Sequence, residues 1–197
     1  MSIPVDHNET AARPATPDPA RRLPGDFTPE QLLDRIIRVD HAGEYGAKRI
    51  YEGQLAVLGQ KAEGPVIRHM LEQELHHLQA FEKLMVERRA RPSVLFPVWH
   101  VAGFALGAAT ALMGPKAAMA CTVAVEEVID EHYRRQTAEL GATEPALREK
   151  IETFRAEEAQ HRDTGIAHGA EQTPGYEVLS SAIKAGSRLA IWLAERI

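Results

Sequence analysis

Two copies of one short pattern carry side chains able to do chemistry. Glu74-Leu75-His76-His77 and Glu158-Ala159-Gln160-His161 both read E-x-x-H, and each follows an isolated glutamate. Thirty residues separate Glu44 from Glu74, and thirty-two separate Glu126 from Glu158. Carboxylate and imidazole three residues apart on a helix share one face, one turn apart. Residues seven apart share a face as well. Ile37, Glu44, Tyr51 and Leu58 make one such row; Met119, Glu126, Tyr133 and Leu140 make another. Ile67, Glu74 and Phe81 run beside Met70, His77 and Leu84, while Ile151, Glu158 and Gly165 run beside Phe154, His161 and His168. In each row a glutamate interrupts an otherwise largely apolar stripe.

That interruption needs a physical reason. A buried, unpartnered carboxylate is penalised by several kcal/mol even after relaxation. Four would overwhelm a domain whose net stability is about 5–15 kcal/mol. Two divalent cations remove the difficulty, because their charge balances the four carboxylates while two imidazoles complete the donors. One Glu from each of two helices plus E-x-x-H from each of two others is the ligand set of ferritin-like dimetal bundles. The oxygen-rich set favours iron over zinc and also admits manganese. Glu74 and Glu158 are expected to bridge the two ions, with Glu44 and His77 completing one site and Glu126 and His161 the other. Glu127 is a close rival to Glu126. Glu72, Glu157 and His76 are expected on flanking or exposed faces.

The elements that must position these groups are helices, since no strand-like alternation of useful length occurs. Thr28-Pro29-Glu30-Gln31 is a capping-box start with proline at the first helical position. This helix is expected to run to about Gly59, and a second from Gly64-Pro65 to about Arg91-Pro92. Gly114-Pro115 opens a third long helix ending at Gly141, and Glu144-Pro145 a fourth reaching about Gly169. Thr173-Pro174 opens a fifth, with Val178, Leu179, Ile183, Ala190, Ile191 and Leu193 on an apolar face and Lys184, Arg188, Glu195 and Arg196 opposite. Residues 93–114 carry no formal charge. Pro97 is read as breaking this run and Gly103, Gly107 and Gly114 as loosening it. It is marginal for a spanning helix of about 20 residues, and suits burial or the membrane interface better. The expected class is all-α: a ferritin-like four-helix bundle with an apolar membrane-interface insert and an extra C-terminal amphipathic helix.

Composition narrows the rest. The chain has 197 residues, enough for one domain with a sizeable core. Its formal charge of −5 gives no reason to expect nucleic acid as a partner. Cys121 is the single cysteine, so no internal disulfide can form; it reads as a small core residue. Residues 1–25 lack the apolar stretch of a secretory signal and read as a disordered tail ahead of a di-iron domain over 26–197.

The stretches Arg35 to Ala47, Cys121 to Glu127, Phe154 to Glu158 and Trp99 to Gly107 together resemble the demethoxyubiquinone hydroxylase family of ubiquinone biosynthesis. The likeness covers roughly residues 33–197, and all six ligand positions match. It implies a di-iron monooxygenase that hydroxylates the ring of a polyprenyl demethoxy-quinone or quinol at the penultimate step of that synthesis. Dioxygen supplies the oxygen and NADH the reducing equivalents. No G-x-G-x-x-G follows a strand, so no Rossmann-type nucleotide site is expected. His132 and Tyr133 match family residues suggested to assist the reduction. The resemblance also implies two iron ions, homo-oligomerisation, a lipid-binding partner protein, and peripheral attachment to the cytoplasmic side of a bacterial inner membrane. The charge-free segment and the last helix are the expected membrane contacts, with Phe104 and Leu106 in the first and Arg88, Arg89 and Arg91 flanking it for anionic head groups. The alternative is an iron-storage or peroxide-scavenging bundle of the ferritin or rubrerythrin kind. A sticky apolar insert and the lack of a C-x-x-C module speak against it.

Overall fold

The computed structural model describes residues 25–197, so the expected tail over 1–25 lies, but for Gly25, outside the described residues. Six α-helices follow one another, with no strand among the described residues: α1 (Pro29–Leu58), α2 (Gly64–Arg88), α3 (Phe96–Leu112), α4 (Pro115–Leu140), α5 (Pro145–Ala167) and α6 (Tyr176–Ala194). The start of α1 is the capping box read from sequence. Thr28 accepts from the Gln31 backbone at 3.1 Å, and the Gln31 side chain accepts from the Thr28 backbone at 2.9 Å. Both satisfy amides that the helix leaves unpaired.

Helices α1, α2, α4 and α5 form the ferritin-like bundle. Its core lies in two apolar layers on either side of the polar centre. Tyr51, Leu58, Ile67, Met70, Met119 and Val123 make one; Ile36, Phe81, Tyr133, Leu140, Ile151 and Phe154 make the other. The remaining two helices repeat one arrangement: α3 packs on α1, and α6 packs on α4. The duplicated unit is therefore three helices, not the two-helix hairpin that the E-x-x-H spacing reveals.

Five sequence expectations change here. Pro97 does not break the apolar run, because it falls in the first turn of α3, where a missing amide costs nothing. Gly103 and Gly107 do not loosen that helix either. A Cβ at Gly107 would strike the Ile50 backbone, and one at Gly103 would lie 2.9 Å from the Gly46 carbonyl oxygen. These glycines let α3 press directly onto α1. The last helix starts at Tyr176 rather than at Thr173-Pro174, after a turn that places Gly175 at φ 72°, and a single 3-10 turn over Ala170–Gln172 precedes that turn. Its polar residues are not simply solvated: Lys184 pairs with Glu127 and Arg188 with Glu131, tying α6 to α4. Val178, placed on the apolar face, is exposed.

Replacing Gly107 with Ala should therefore lower stability by about 1–3 kcal/mol through overpacking. Gly186→Ala, where an added Cβ meets nothing within 4 Å, should raise it by up to about 1 kcal/mol from helix propensity. Thermal denaturation of the two variants checks both signs.

Candidate metal centre

All six expected donors come from the four bundle helices and meet at its centre. None is more than 3% exposed: Glu44 3%, Glu74 0%, His77 0%, Glu126 2%, Glu158 1% and His161 2%. Their donor atoms form two overlapping groups. Glu44, Glu74, His77 and Glu158 converge within 4.8 Å, and so do Glu74, Glu126, Glu158 and His161. Glu74 and Glu158 belong to both. His77 Nδ1 lies 3.0 Å from Glu158 Oε1 and 3.4 Å from Glu44 Oε2. His161 Nδ1 lies 3.0 Å from Glu158 Oε2 and 3.2 Å from Glu74 Oε1.

The rivals separate cleanly. Glu127 turns outward to Lys184, while Glu126 points into the centre. Glu72, His76 and His168 are exposed. Glu157 flanks the cluster and holds one of its rings, with Oε2 2.5 Å from His77 Nε2. Gln73 does the same for His161, with Oε1 3.0 Å from Nε2. Each ring thus has its outer nitrogen held and its inner nitrogen aimed at the carboxylates, the usual way a metal-binding imidazole is oriented. Sequence reading assigned neither role. The available signal was position: Gln73 and Glu157 each sit immediately before an inward glutamate.

Two tyrosines cross the duplication. Tyr51 of the first half donates to Glu126 Oε1 at 2.8 Å, and Tyr133 of the second donates to Glu44 Oε1. Each lies seven residues after the single glutamate of its own half, so it arrives opposite the single glutamate of the other.

Four carboxylate oxygens of the cluster still lack a hydrogen-bond partner among the described residues: Glu44 Oε2, Glu126 Oε2 and both oxygens of Glu74. Buried polar atoms are rarely left unpaired. A dry cluster of carboxylates with free oxygens turned toward two shared imidazole-flanked positions is chemically matched to a pair of hard-to-borderline cations. Electrostatics say the same. Burial, then the charges of Glu158 and Glu44, push Glu74 well above the ordinary carboxylate range; burial, Glu158 and Glu74 do so for Glu126. Burial also works against Glu158, yet bonds from His161 and His77 outweigh it and bring it down to about 2. Burial opposes a charged His77, but its bonds to Glu158 and Glu44 carry it up to about 12. Without cations, protons supply the positive charge.

His132 and Tyr133 are also buried, and only Tyr133 touches the cluster. Both line a cavity of about 360 Å³ bounded by α1, α3, α4 and α6, whose walls include Glu44, Ala47, Ile50, Trp99, Leu106, Val125 and Ile191. His132 Nδ1 lies 3.0 Å from Arg135 Nη2 and its Nε2 lies 3.5 Å from Asp40 Oδ1. Cys121, by contrast, is fully buried with its thiol pushed up to about 12 by desolvation, so it is inert core.

Fold and site together define a ferritin-like helical bundle built around a centre suited to two metal ions, with an apolar cavity against one side of it. Comparison with known proteins narrows this class. The family described as ubiquinone biosynthesis protein COQ7 matches residues 31–194, and the chain belongs to that family. It is 62% identical over 177 residues to the 3-demethoxyubiquinol 3-hydroxylase of Rhodospirillum rubrum, covering 89% of this chain and 84% of that protein. It is 57% identical over 169 residues to the mitochondrial NADPH-dependent 3-demethoxyubiquinone 3-hydroxylase of Homo sapiens, covering 84% and 78%. The 5-demethoxyubiquinone hydroxylase of Saccharomyces cerevisiae is 45% identical over 183 residues, covering 84% and 78%.

The pH dependence of the cation-stripped protein follows from these shifts. The contribution of Glu158, lowered in the fold, is complete above the unfolded value of 4.5 and is lost as pH falls toward about 2. That of His77, raised in the fold, is complete below 6.5 and is lost as pH rises toward about 12. The raised Glu74 and Glu126 lose theirs as pH climbs from 4.5. Melting temperature after chelation should therefore peak between pH 4.5 and 6.5 and fall toward pH 9. Cation-loaded protein should resist that alkaline fall, because binding displaces the same protons.

Proposed function

We propose that this chain hydroxylates the ring of a polyprenyl demethoxy-quinone or its quinol, using dioxygen and a reduced nicotinamide, in the synthesis of ubiquinone. Family membership supports the reaction class, and the relatives' names carry the ring substrate. The single observation that carries the mechanism is the juxtaposition of six convergent donors with an apolar cavity sharing Glu44 and Tyr133 as its wall. Storage of iron gives no reason for such a cavity.

On this reading Glu44, Glu74, His77, Glu126, Glu158 and His161 would hold two iron ions, with Glu74 and Glu158 belonging to both groups of donors. Bound iron supplies the reduction and activation of dioxygen. The chain's own residues do the rest. Ile50, Leu106, Val125 and Ile191 exclude water and hold the ring and the first part of its tail. Tyr133 fixes Glu44 at the cavity's polar end. His132 beside it, with Tyr133, assists passage of reducing equivalents to the site. The human relative's name specifies NADPH, whereas the sequence resemblance implied NADH; either carries the same hydride.

Peripheral attachment to a membrane completes the proposal, since the substrate tail is a lipid. No helix among the described residues is long and apolar enough to cross a membrane. The segments that support attachment are those expected, the charge-free run and the last helix, but residues other than Phe104 and Leu106 face outward from them. Phe104 lies under Arg49 and Leu106 packs inward, so neither faces out. Val94, Val98, Val101, Leu112 and Met113 around α3 are exposed instead, with Leu189 and Trp192 of α6. Arg88 is held by Glu144, leaving Arg89 and Arg91 as flanking cations.

Purified iron-loaded protein given a demethoxy-quinone, NADH or NADPH and labelled dioxygen should yield a product one labelled oxygen heavier by mass spectrometry. Glu74→Ala should lose both iron and product, whereas His132→Ala should keep its iron and slow turnover at least about tenfold. Unlabelled product, or a fully active Glu74→Ala variant, would refute the assignment. In vesicle flotation, joint replacement of Val98, Val101 and Trp192 by Glu should weaken binding to anionic vesicles at least about tenfold. Undiminished flotation would remove this face from the proposal.

A further inference from the structure

The two halves fall into register when residues are counted from Glu44 in one and from Glu126 in the other. Ten residues after each comes a glutamine, and four before each comes a polar residue on the facing helix. Gln136 donates to Asp40 Oδ1 at 2.6 Å. Its counterpart Gln54 donates to the Ala118 carbonyl at 3.0 Å and lies 3.5 Å from Thr122 Oγ1. Six residues after each glutamate stands Ile50 in one half and His132 in the other. The bundle therefore builds the same corner twice. One version is neutral; the other holds a carboxylate, 2% exposed, against a histidine. The neutral version shows that the fold has no need of a charge there.

What differs is the surroundings: Asp40 and His132 both line the apolar cavity. Asp40 Oδ1 is committed to Gln136 and faces His132 Nε2 at 3.5 Å. Arginine has no acceptor, so Arg135 makes His132 Nδ1 the acceptor and leaves the ring proton on Nε2, toward Asp40. Asp40 Oδ2 has no partner among the described residues. A buried carboxylate oxygen without a donor is costly unless a ligand supplies one. Other unpartnered atoms stand in the same cavity wall: Glu44 Oε2 is an acceptor, and His132 Nε2 and Trp99 Nε1 are donors.

We infer that Asp40 reads the redox form of the ring: its free oxygen accepts a hydrogen bond from a quinol hydroxyl, a donor that the quinone lacks. The inference rests on the proposed function, because it takes the cavity as the ring's site. Trp99 serves the opposite need, donating to a ring oxygen in either form. Gln136 acts as the positioning residue that holds Oδ1, with His132 Nε2 nearby at 3.5 Å, and so leaves Oδ2 free. An asparagine at this position would keep its oxygen toward Gln136 and present its amide N–H₂ in place of Oδ2, turning the acceptor into a donor.

The test is equilibrium binding to the cation-loaded full chain in detergent, without oxygen, followed by quenching of tryptophan fluorescence. The probes are a short-tailed demethoxy-quinol, its quinone and the quinol's mono- and dimethyl ethers. The native chain should bind the quinol roughly ten- to a hundredfold tighter than the quinone and the dimethyl ether. Asp40→Asn should abolish that preference by gaining affinity for the quinone and the dimethyl ether, since an amide donor serves a ring oxygen in either form. Asp40→Thr, which copies the corner already built at Thr122, should abolish it without gaining quinone affinity. Melting temperature and metal content establish that each variant is folded and loaded. Should the asparagine variant fail to fold, the ethers on the native chain still decide. Equal binding of all probes to the native chain, or an Asp40→Asn variant that still prefers quinol, overturns this inference alone. Failure of the native chain to bind any probe overturns the cavity assignment and the inference with it.

Discussion

Four carboxylates held dry within a few ångströms of one another form the constraint on which the rest of this molecule turns. Two like charges 4 Å apart repel by about 4 kcal/mol even at an effective dielectric near 20. Nothing in the surrounding apolar layers relieves that repulsion. The fold meets it with counter-charge from His77 and His161, hydrogen bonds from Tyr51 and Tyr133, and shared protons on Glu74 and Glu126. Each of these is a partial answer, and the four unpartnered oxygens mark what is left over. A centre so arranged is strained toward binding positive charge. The helices around it must be rigid enough to keep it from spreading apart.

Rigidity comes from duplication. Each half offers one glutamate, one E-x-x-H and one tyrosine a heptad beyond the single glutamate. Packing the halves together lets each tyrosine serve the other half's carboxylate, so neither half completes its own side of the centre. The third helix of each unit, α3 or α6, then covers the outside of α1 or α4. Where the two covers approach each other over α1, they leave the cavity. Symmetry is broken there, with Asp40 against Thr122 and His132 against Ile50, as it is where Glu157 holds one ring and Gln73 the other. Chemistry on one side of a near-symmetric metal centre requires such a break, because a substrate approaches from one direction only.

Much of this was legible from residue order. The heptad rows put Glu44, Glu74, Glu126 and Glu158 inside because burial in a four-helix bundle is a local, periodic property. The caps at Thr28 and the proline starts at Pro115 and Pro145 are equally local. What escaped were features set by contacts between distant segments. Gly107 reads as a flaw in a helix until the Ile50 backbone is seen lying against it. Pro97 reads as a break until the helix is known to start one residue before it. Glu157 and Gln73 look like surface residues, since their partners are the far sides of rings on other helices. Phe104 and Leu106 are as apolar as Val98 and Val101, and only the packing of α3 decides which pair faces outward.

The placement of α3 and α6 joins two demands that are separable in principle. On the proposed function, a lipid-tailed ring must reach a dry centre of carboxylates and imidazoles, and it must do so without crossing water. In this fold the helices that close the cavity also carry exposed apolar side chains, Val98 and Val101 on α3 and Leu189 and Trp192 on α6. Gly103 and Gly107 bring α3 hard against α1 between Gly46 and Ile50, while Gly43 and Gly46, where an added Cβ would meet no neighbour, line the cavity beside Trp99. The cavity wall is apolar at Trp99, Leu106 and Ile191 of the covering helices and polar at Asp40, Glu44 and Tyr133, which would give the proposed substrate a path inward. A greasy chain would follow that path because every step keeps it out of water, and the polar ring would stop where the first unpaired acceptors are met.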